Sequence, residues 1–181
     1  YKRQQVLGPG LGQDGWGRAR FEQGIGAAVP LVLDADGLNW LAQAPRHQDN
    51  WVLTPHPGEA ARLLGCTIAE VEGDRFAAVS RLQQRYGGVV LLKGAGSLIC
   101  DGRRISLCDE GNPGMASGGM GDLLSGIIAA LLAQGWSAGM ATRLGAVIHA
   151  EAADLAAAEG ERGMLASDLL PWIRRLVNPT Q

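Results

Sequence analysis

Short apolar runs without polar alternation recur along the chain, and each ends at a residue of a different kind. Val6-Leu7 runs into Gly8-Pro9-Gly10, Leu31-Val32-Leu33 into Asp34, Trp51-Val52-Leu53-Thr54 into Pro55, and Val89-Val90-Leu91-Leu92 into Lys93. Runs of this sort predict strands covered on both faces, as in a parallel sheet. Helical stretches fall between them. Thr67-Ile68-Ala69-Glu70 is a capping box that predicts a helix onward to Tyr86, closed by Gly87-Gly88. Residues 98–107 predict a hairpin turned at Asp101-Gly102. The remainder reads as helical. One helix covers residues 123–133 and ends at Gly135. A second is capped by Ser137 and runs towards Glu159. A third is capped by Ser167, with Pro171 in its first turn. Strands alternating with helices, then a helical block, predict an α/β fold: a mainly parallel sheet flanked by helices. Loops at the carboxyl ends of its strands should converge on one crevice.

The chain has 181 residues, 46% hydrophobic and 19% charged, with no repeat or linker, which predicts one globular domain over residues 1–181. A net charge of −2 and few aromatic residues argue against a nucleic-acid surface. The apolar runs are too short and too broken by glycine to span a bilayer. Cys66, Cys100 and Cys108 have no metal-ligand spacing. An odd number without a secretory signal predicts free thiols in a reducing, cytoplasmic compartment, although a hairpin can bring Cys100 and Cys108 near each other. The scattered tryptophans at 16, 40, 51, 136 and 172 suggest packing, and His149 on an alanine-rich stretch reads as structural.

Candidate chemistry concentrates in Gly111-Asn112-Pro113-Gly114-Met115-Ala116-Ser117-Gly118-Gly119-Met120-Gly121-Asp122, followed at once by an apolar helical run. Glycines bring backbone close to a ligand, and a helix starting beside them aims free N–H groups and its positive dipole end there. That is an anion site with one carboxylate, Asp122, at its mouth. A base beside a phosphate cradle has a use: taking the proton from a hydroxyl that attacks phosphorus. The plain alternative is that Asp122 is a helix N-cap. Neither a Walker A loop nor a dinucleotide fingerprint is present. Asp34 and Asp36 lie at a strand end, and Asp36 is read as the cap of the helix through Leu41.

The run Asn112 to Asp122 resembles the signature of the ADP/ATP-dependent NAD(P)H-hydrate dehydratases, a family of ribokinase-like fold. Gly8-Pro9-Gly10-Leu11-Gly12, Thr54-Pro55-His56-Pro57-Gly58-Glu59 and Lys93-Gly94-Ala95-Gly96-Ser97 match in the same order, and Asp34-Ala35-Asp36-Gly37-Leu38-Asn39 also fits. The likeness is to the C-terminal domain of the bacterial bifunctional enzyme, whose other domain is an epimerase. It implies ADP-dependent dehydration of the (S)-hydrate of NADH or NADPH, with release of AMP and phosphate. ATP is the alternative nucleotide and Mg2+ the implied cofactor. Asp122 is then the base, and N–H groups near Gly121 stabilise developing charge. Lys93, Gly94, Ala95, Gly96 and Ser97 bind the nucleotide, with serine where the family usually has threonine. Gly10, Gly12, His56 and Asn112 face the hydrate. Asn112 has the alternative of only shaping its loop, and His56 of a cap. Glu59 supports magnesium, directly or through water, or is an ordinary acid of a first helical turn. The resemblance also implies a tetramer. Family members carry a substantial portion before the Gly-Pro-Gly loop, so the chain is expected to be a piece of the domain that is poorly stable or inactive alone. Two rivals stand beside this reading: a small-molecule kinase on the same fold, and a non-catalytic nucleotide-binding module.

Overall fold

The computed structural model describes residues 4–178. The expected strands form a single six-stranded sheet in chain order. They are β1 (Gln5–Leu7), β2 (Leu31–Leu33), β3 (Trp51–Leu53), β4 (Val89–Leu92), β5 (Ser97–Cys100) and β6 (Ile105–Cys108). The first four run parallel, and β5 and β6 return antiparallel as the hairpin. Register explains the unbroken apolar runs. Val6, Val32, Val52 and Val89 stand side by side across the sheet and face one way, while Leu7, Leu33, Leu53 and Val90 form the next row and face the other. Both faces need cover, so neither row can be polar.

Helices α1 (Gly15–Ile25), α2 (Ala35–Gln43), α3 (Pro57–Leu64), α4 (Ile68–Gly73) and α5 (Arg75–Tyr86) cover the leucine side, where Phe21, Leu38, Leu41, Leu63 and Leu82 are buried. The valine side packs on α6 (Met120–Ala133) and α7 (Ala138–Ala157) through Leu124, Ile128 and Ala146. Helix α8 (Leu170–Leu176) closes a smaller cluster against α7 around Leu169, Ala152 and Ala153. Each fully buried leucine or valine contributes roughly 1.5–3 kcal/mol. The valine row is not covered to its end, and Val6 on the edge strand is 39% exposed.

Several local expectations change. The capping box at Thr67 forms as read, but the helix does not reach Tyr86 unbroken. At Asp74 the backbone leaves helical geometry and the carboxylate accepts from the Ala77 N–H at 2.9 Å, starting α5 afresh. Aspartate is a strong N-cap, and here that local bond outweighs helix continuity. Ser167 caps nothing; it lies inside a 3-10 turn, Ala166–Leu169, that leads into α8. Asp34, not Asp36, caps α2. Trp51 is fully buried as packing requires, but Trp16 and Trp136 are 61% and 45% exposed. Cys100 pairs in register with Ile105 and Cys108 with Ser97, on opposite faces of the hairpin, so the two thiols are not neighbours. All three cysteines are free. Among the described residues no helix is long and apolar enough to cross a membrane.

Burial, reinforced by its hydrogen bond to the Glu110 carboxylate, pushes the Cys108 thiol up to about 12. The thiolate is the reactive form. Iodoacetamide at mildly alkaline pH should therefore modify native Cys66 and leave Cys100 and Cys108 untouched until the chain is unfolded, as read by mass spectrometry.

Candidate active site

The carboxyl ends of β2, β3 and β4 meet the amino end of α6, and four motifs come together there. Asp34 follows β2. Its side chain is almost wholly buried and accepts three hydrogen bonds: from the Ala35 N–H at 3.0 Å, from Lys93 Nζ at 2.8 Å and from Ser125 Oγ at 2.9 Å. Lys93 follows β4, Ser125 lies one turn into α6, and Ala35 opens α2. One carboxylate thus ties three elements to its own strand. Thr54, after β3, donates its hydroxyl to the Leu33 carbonyl at 3.1 Å, with Ser125 Oγ 3.5 Å away.

Glu59 is also buried. One carboxylate oxygen accepts from the His56 N–H at 2.8 Å and lies 4.0 Å from Lys93 Nζ. His56 answers with its ring: Nδ1 accepts from the N–H groups of Gly58 and Glu59 at 3.0 and 3.4 Å. This reciprocal pair is a capping box for α3, with histidine in the place of serine or threonine. His56 is therefore the cap of its helix. Its Nδ1 is committed, which puts the ring proton on Nε2, 3.5 Å from the other Glu59 oxygen, on an exposed face. Glu59 is the first-turn acid of the plain reading. Its Oε1 takes no backbone hydrogen bond and is the oxygen left for a further partner.

Gly121 stands directly above the Lys93–Asp34 pair. A Cβ there would lie 3.1 Å from Lys93 Nζ and 3.5 Å from the Asp34 carboxylate. A side chain at this position would press on the Lys93 ammonium, so glycine leaves the turn room over the buried pair. The N-cap position of α6 is Gly119, which offers no side-chain cap, so the N-cap reading of Asp122 does not hold. Asp122 sits in the first turn, exposed, without a hydrogen-bonded or ionic partner among the described residues. The first N–H groups of α6 are left open beside a lysine ammonium, an arrangement suited to phosphate.

The flanking loops are held from outside. Gly12 donates its N–H to Asp36 at 2.9 Å and accepts from Trp40 Nε1 at 3.0 Å, so the Gly8–Gly12 loop leans on α2. Gly10 belongs to the same loop. Asn112 caps its own turn by accepting from the Gly114 N–H, and donates to Asp154 on α7 at 2.9 Å. Both ends of that amide shape the loop, as its second reading has it. Ser97 donates to the Gly94 carbonyl at 3.4 Å, while Gly94, Ala95 and Gly96 lie open to solvent or nearly so. Motif reading passes over Ser125 and Arg75. The first carries a signal, a lone hydroxyl on an apolar helix; the second carries none, because its place at the start of α5 exists only once the helix breaks at Asp74. A depression of about 630 Å3 lined by Asp49, Asp101, Arg103, Arg104 and Arg143 contains none of the motif residues. The chemistry lies at the strands' carboxyl ends.

No group of three or more His, Cys, Asp or Glu side chains able to hold a metal occurs among the described residues. A magnesium ion here would arrive on nucleotide phosphates and keep several waters, which suits a single hard oxygen such as Glu59 Oε1.

Replacing Asp34 by Asn should destabilise the fold by roughly 2–3 kcal/mol in urea titrations, since Lys93 then loses its buried partner. Asp122→Asn, at an exposed unpartnered carboxylate, should change stability by less than about 0.5 kcal/mol. His149 lies behind the first turn of α6, 5% exposed, its Nε2 unpartnered. Burial, with the charge of Lys93, lowers its pKa to about 4 even though the Met120 backbone pulls the other way. The unfolded chain takes up this proton near pH 6.5 and the folded chain does not. Stability should be intact above that pH and fall by roughly 3 kcal/mol as the pH drops towards 4. His149→Gln should flatten this dependence.

Comparison with known proteins gives the family and the fold. The family model for NAD(P)H-hydrate dehydratase matches residues 3–175. A bifunctional NAD(P)H-hydrate repair enzyme of Vibrio cholerae is 57% identical over 174 residues, which is 96% of this chain and 35% of that protein. The chain thus spans about a third of the length of such bifunctional relatives. An ADP-dependent (S)-NAD(P)H-hydrate dehydratase of Neisseria meningitidis is 42% identical over 96% of the chain and 62% of its own length. Among solved structures, an ADP/ATP-dependent NAD(P)H-hydrate dehydratase of Bacillus subtilis co-crystallized with ATP/Mg2+ superposes with a TM-score of 0.86 at 28% identity, covering 97% of this chain and 64% of that one. A ribokinase-like superfamily protein of Enterococcus faecalis gives 0.80 at 28% identity, covering 95% of this chain and 63% of that one, and the fold is accordingly ribokinase-like. With its motifs gathered at one crevice and its length matched almost throughout, the chain belongs to the NAD(P)H-hydrate dehydratase family.

Proposed function

We propose that this chain forms the catalytic crevice of an ADP-dependent dehydratase that restores NADH or NADPH from its (S)-hydrate. The observation that carries this is the placing of Lys93 Nζ, held by Asp34 beneath Gly121, at the open amino end of α6. A cation and free N–H groups meet there, with an exposed carboxylate, Asp122, in the same helical turn.

The reaction follows from those groups. The hydroxyl on the hydrated nicotinamide ring attacks the terminal phosphorus of ADP, and Asp122 takes its proton. The N–H groups around Gly121 hold the charge that develops on the transferring phosphoryl oxygens, and Lys93 pairs with it. The P–O bond to AMP breaks. The ring C–O bond of the new phosphate ester then breaks, the ring nitrogen lone pair expels phosphate, and loss of a proton from the neighbouring carbon restores the double bond. Magnesium supplies charge neutralisation on the nucleotide phosphates, and Glu59 is the residue that would hold it through water.

The Gly94–Gly96 backbone takes the nucleotide. Gly10, Gly12 and the exposed Nε2 side of His56 form the wall towards the hydrate, and Asn112 supports that wall through its loop. The proposal extends to the longer protein of which the relatives are examples, fused to an epimerase, cytoplasmic, and assembled as a tetramer.

The test is recovery of reduced-nicotinamide absorbance when the full-length protein is mixed with NADH hydrate, ADP and magnesium. Asp122→Asn should lower kcat by about 100-fold or more, the usual contribution of a positioned base. Near-full turnover by that variant rejects the assignment. Lys93→Glu should raise KM for ADP more than KM for the hydrate. Accumulation of a stable phosphorylated product instead of NADH would indicate a kinase.

A further inference from the structure

Arg75 opens α5, where a cation opposes the helix dipole. Its guanidinium is turned under the loop that follows β4. Nη1 donates to the Ala95 carbonyl at 2.6 Å, and Nη2 lies 3.3 Å from the Lys93 carbonyl and 3.4 Å from that of Leu92. Its Nε is buried without a partner. The contact is close enough to dictate sequence: a Cβ on Gly94 would fall 2.8 Å from Nη2, and Gly94 has φ +145.

Three carbonyls drawn to one side have a consequence on the other. A peptide unit is planar and trans, so each carbonyl that points at Arg75 sends the N–H of the next residue away from it. The N–H paired with the Leu92 carbonyl is that of Lys93, and it is used by the Pro55 carbonyl at 2.9 Å. The other two belong to Gly94 and Gly96, and neither has an acceptor among the described residues. Two backbone N–H groups turned outward with one residue between them offer donors to an anion, as in the backbone concavities that bind phosphate. A fixed guanidinium behind it adds positive charge and removes the carbonyls that would repel a phosphate.

We infer that Arg75 is the positioning residue of the nucleotide loop: it fixes the Lys93–Ser97 backbone with its N–H groups outward for a phosphate of a nucleoside diphosphate. It does not touch the reacting atoms. The inference rests on the proposed role of this loop in nucleotide binding. The forked geometry matters as much as the charge, because a lysine ammonium lacks the rigid planar fork whose separate nitrogens reach the Ala95 carbonyl on one side and the Leu92 and Lys93 carbonyls on the other.

The test uses the full-length protein with Arg75→Met and Arg75→Lys, titrated with ADP by calorimetry and assayed with varied ADP and varied hydrate. Loss of the fork should raise the Kd and KM for ADP by about tenfold in the Met variant, as expected when hydrogen bonds to a charged group are removed. KM for the hydrate and kcat at saturating ADP should stay within about twofold, and the Lys variant should recover part of the loss. The amide resonances of Gly94 and Gly96 should shift in the Met variant without nucleotide. If the Met variant does not fold, Arg75→Gln, which keeps one amide donor, is read the same way. ADP affinity unchanged in a folded Met or Gln variant, or equal losses for ADP and hydrate, overturns the role of Arg75 while leaving the dehydratase reading intact. Failure of the unmodified protein to bind ADP overturns both.

Discussion

The Asp34 carboxylate is the interaction on which the rest of the site depends. It is out of water, and an unpaired charge in that position is costly enough that the fold must supply partners. It draws them from three directions: a backbone N–H of α2, the ammonium of Lys93 after β4, and the hydroxyl of Ser125 in α6. Those elements carry the motifs of the crevice. Satisfying one buried carboxylate therefore sets the position of the lysine and of the glycine turn above it. A Cβ added at Gly121 would already crowd the Lys93 ammonium, which shows how little slack remains.

Around this centre the acids divide by exposure. Asp34 and Glu59 are buried, hydrogen-bonded and fixed; both act as parts of helix starts as well as charges. Asp122 is exposed and unpartnered, in the same helical turn as Gly121. A base that must accept a proton from substrate and release it again suits the second setting, and a group that must hold a lysine in place suits the first. His56 combines the two: one ring nitrogen is built into a helix cap and the other faces outward.

The two layers of helices also have different tasks. The leucine face of the sheet is covered by α1 to α5, which anchor two strand-end loops: α2 holds the Gly8–Gly12 loop through Asp36 and Trp40, and α5 holds the loop after β4 through Arg75. The valine face is covered by α6 and α7, which supply the open helix end and the tether of its glycine loop through Asp154. The crevice lies where the layers meet at the sheet's carboxyl edge, and Asp34 and Lys93 are held from both sides.

Much of this was legible in the residues. Apolar runs without alternation, the Thr67 box and the Asp101-Gly102 turn are local signals, and the strands, one helix start and the hairpin followed from them. The strand-end motifs pointed to a shared crevice because parallel strands leave their loops on one edge. What was not legible depends on partners far along the chain. Asp34 meets Lys93 and Ser125 across 59 and 91 residues, so its standing as hub, with Asp36 left to brace a loop, emerges only on folding. The break at Asp74 and the failure of Ser167 to cap are contests between competing local bonds, which packing resolves. Residue type and order determine which chemistry is available to this chain. Which carboxylate is buried, which is free, and which arginine turns a loop outward are set by packing, since burial and long-range pairing exist only in the assembled sheet and helices.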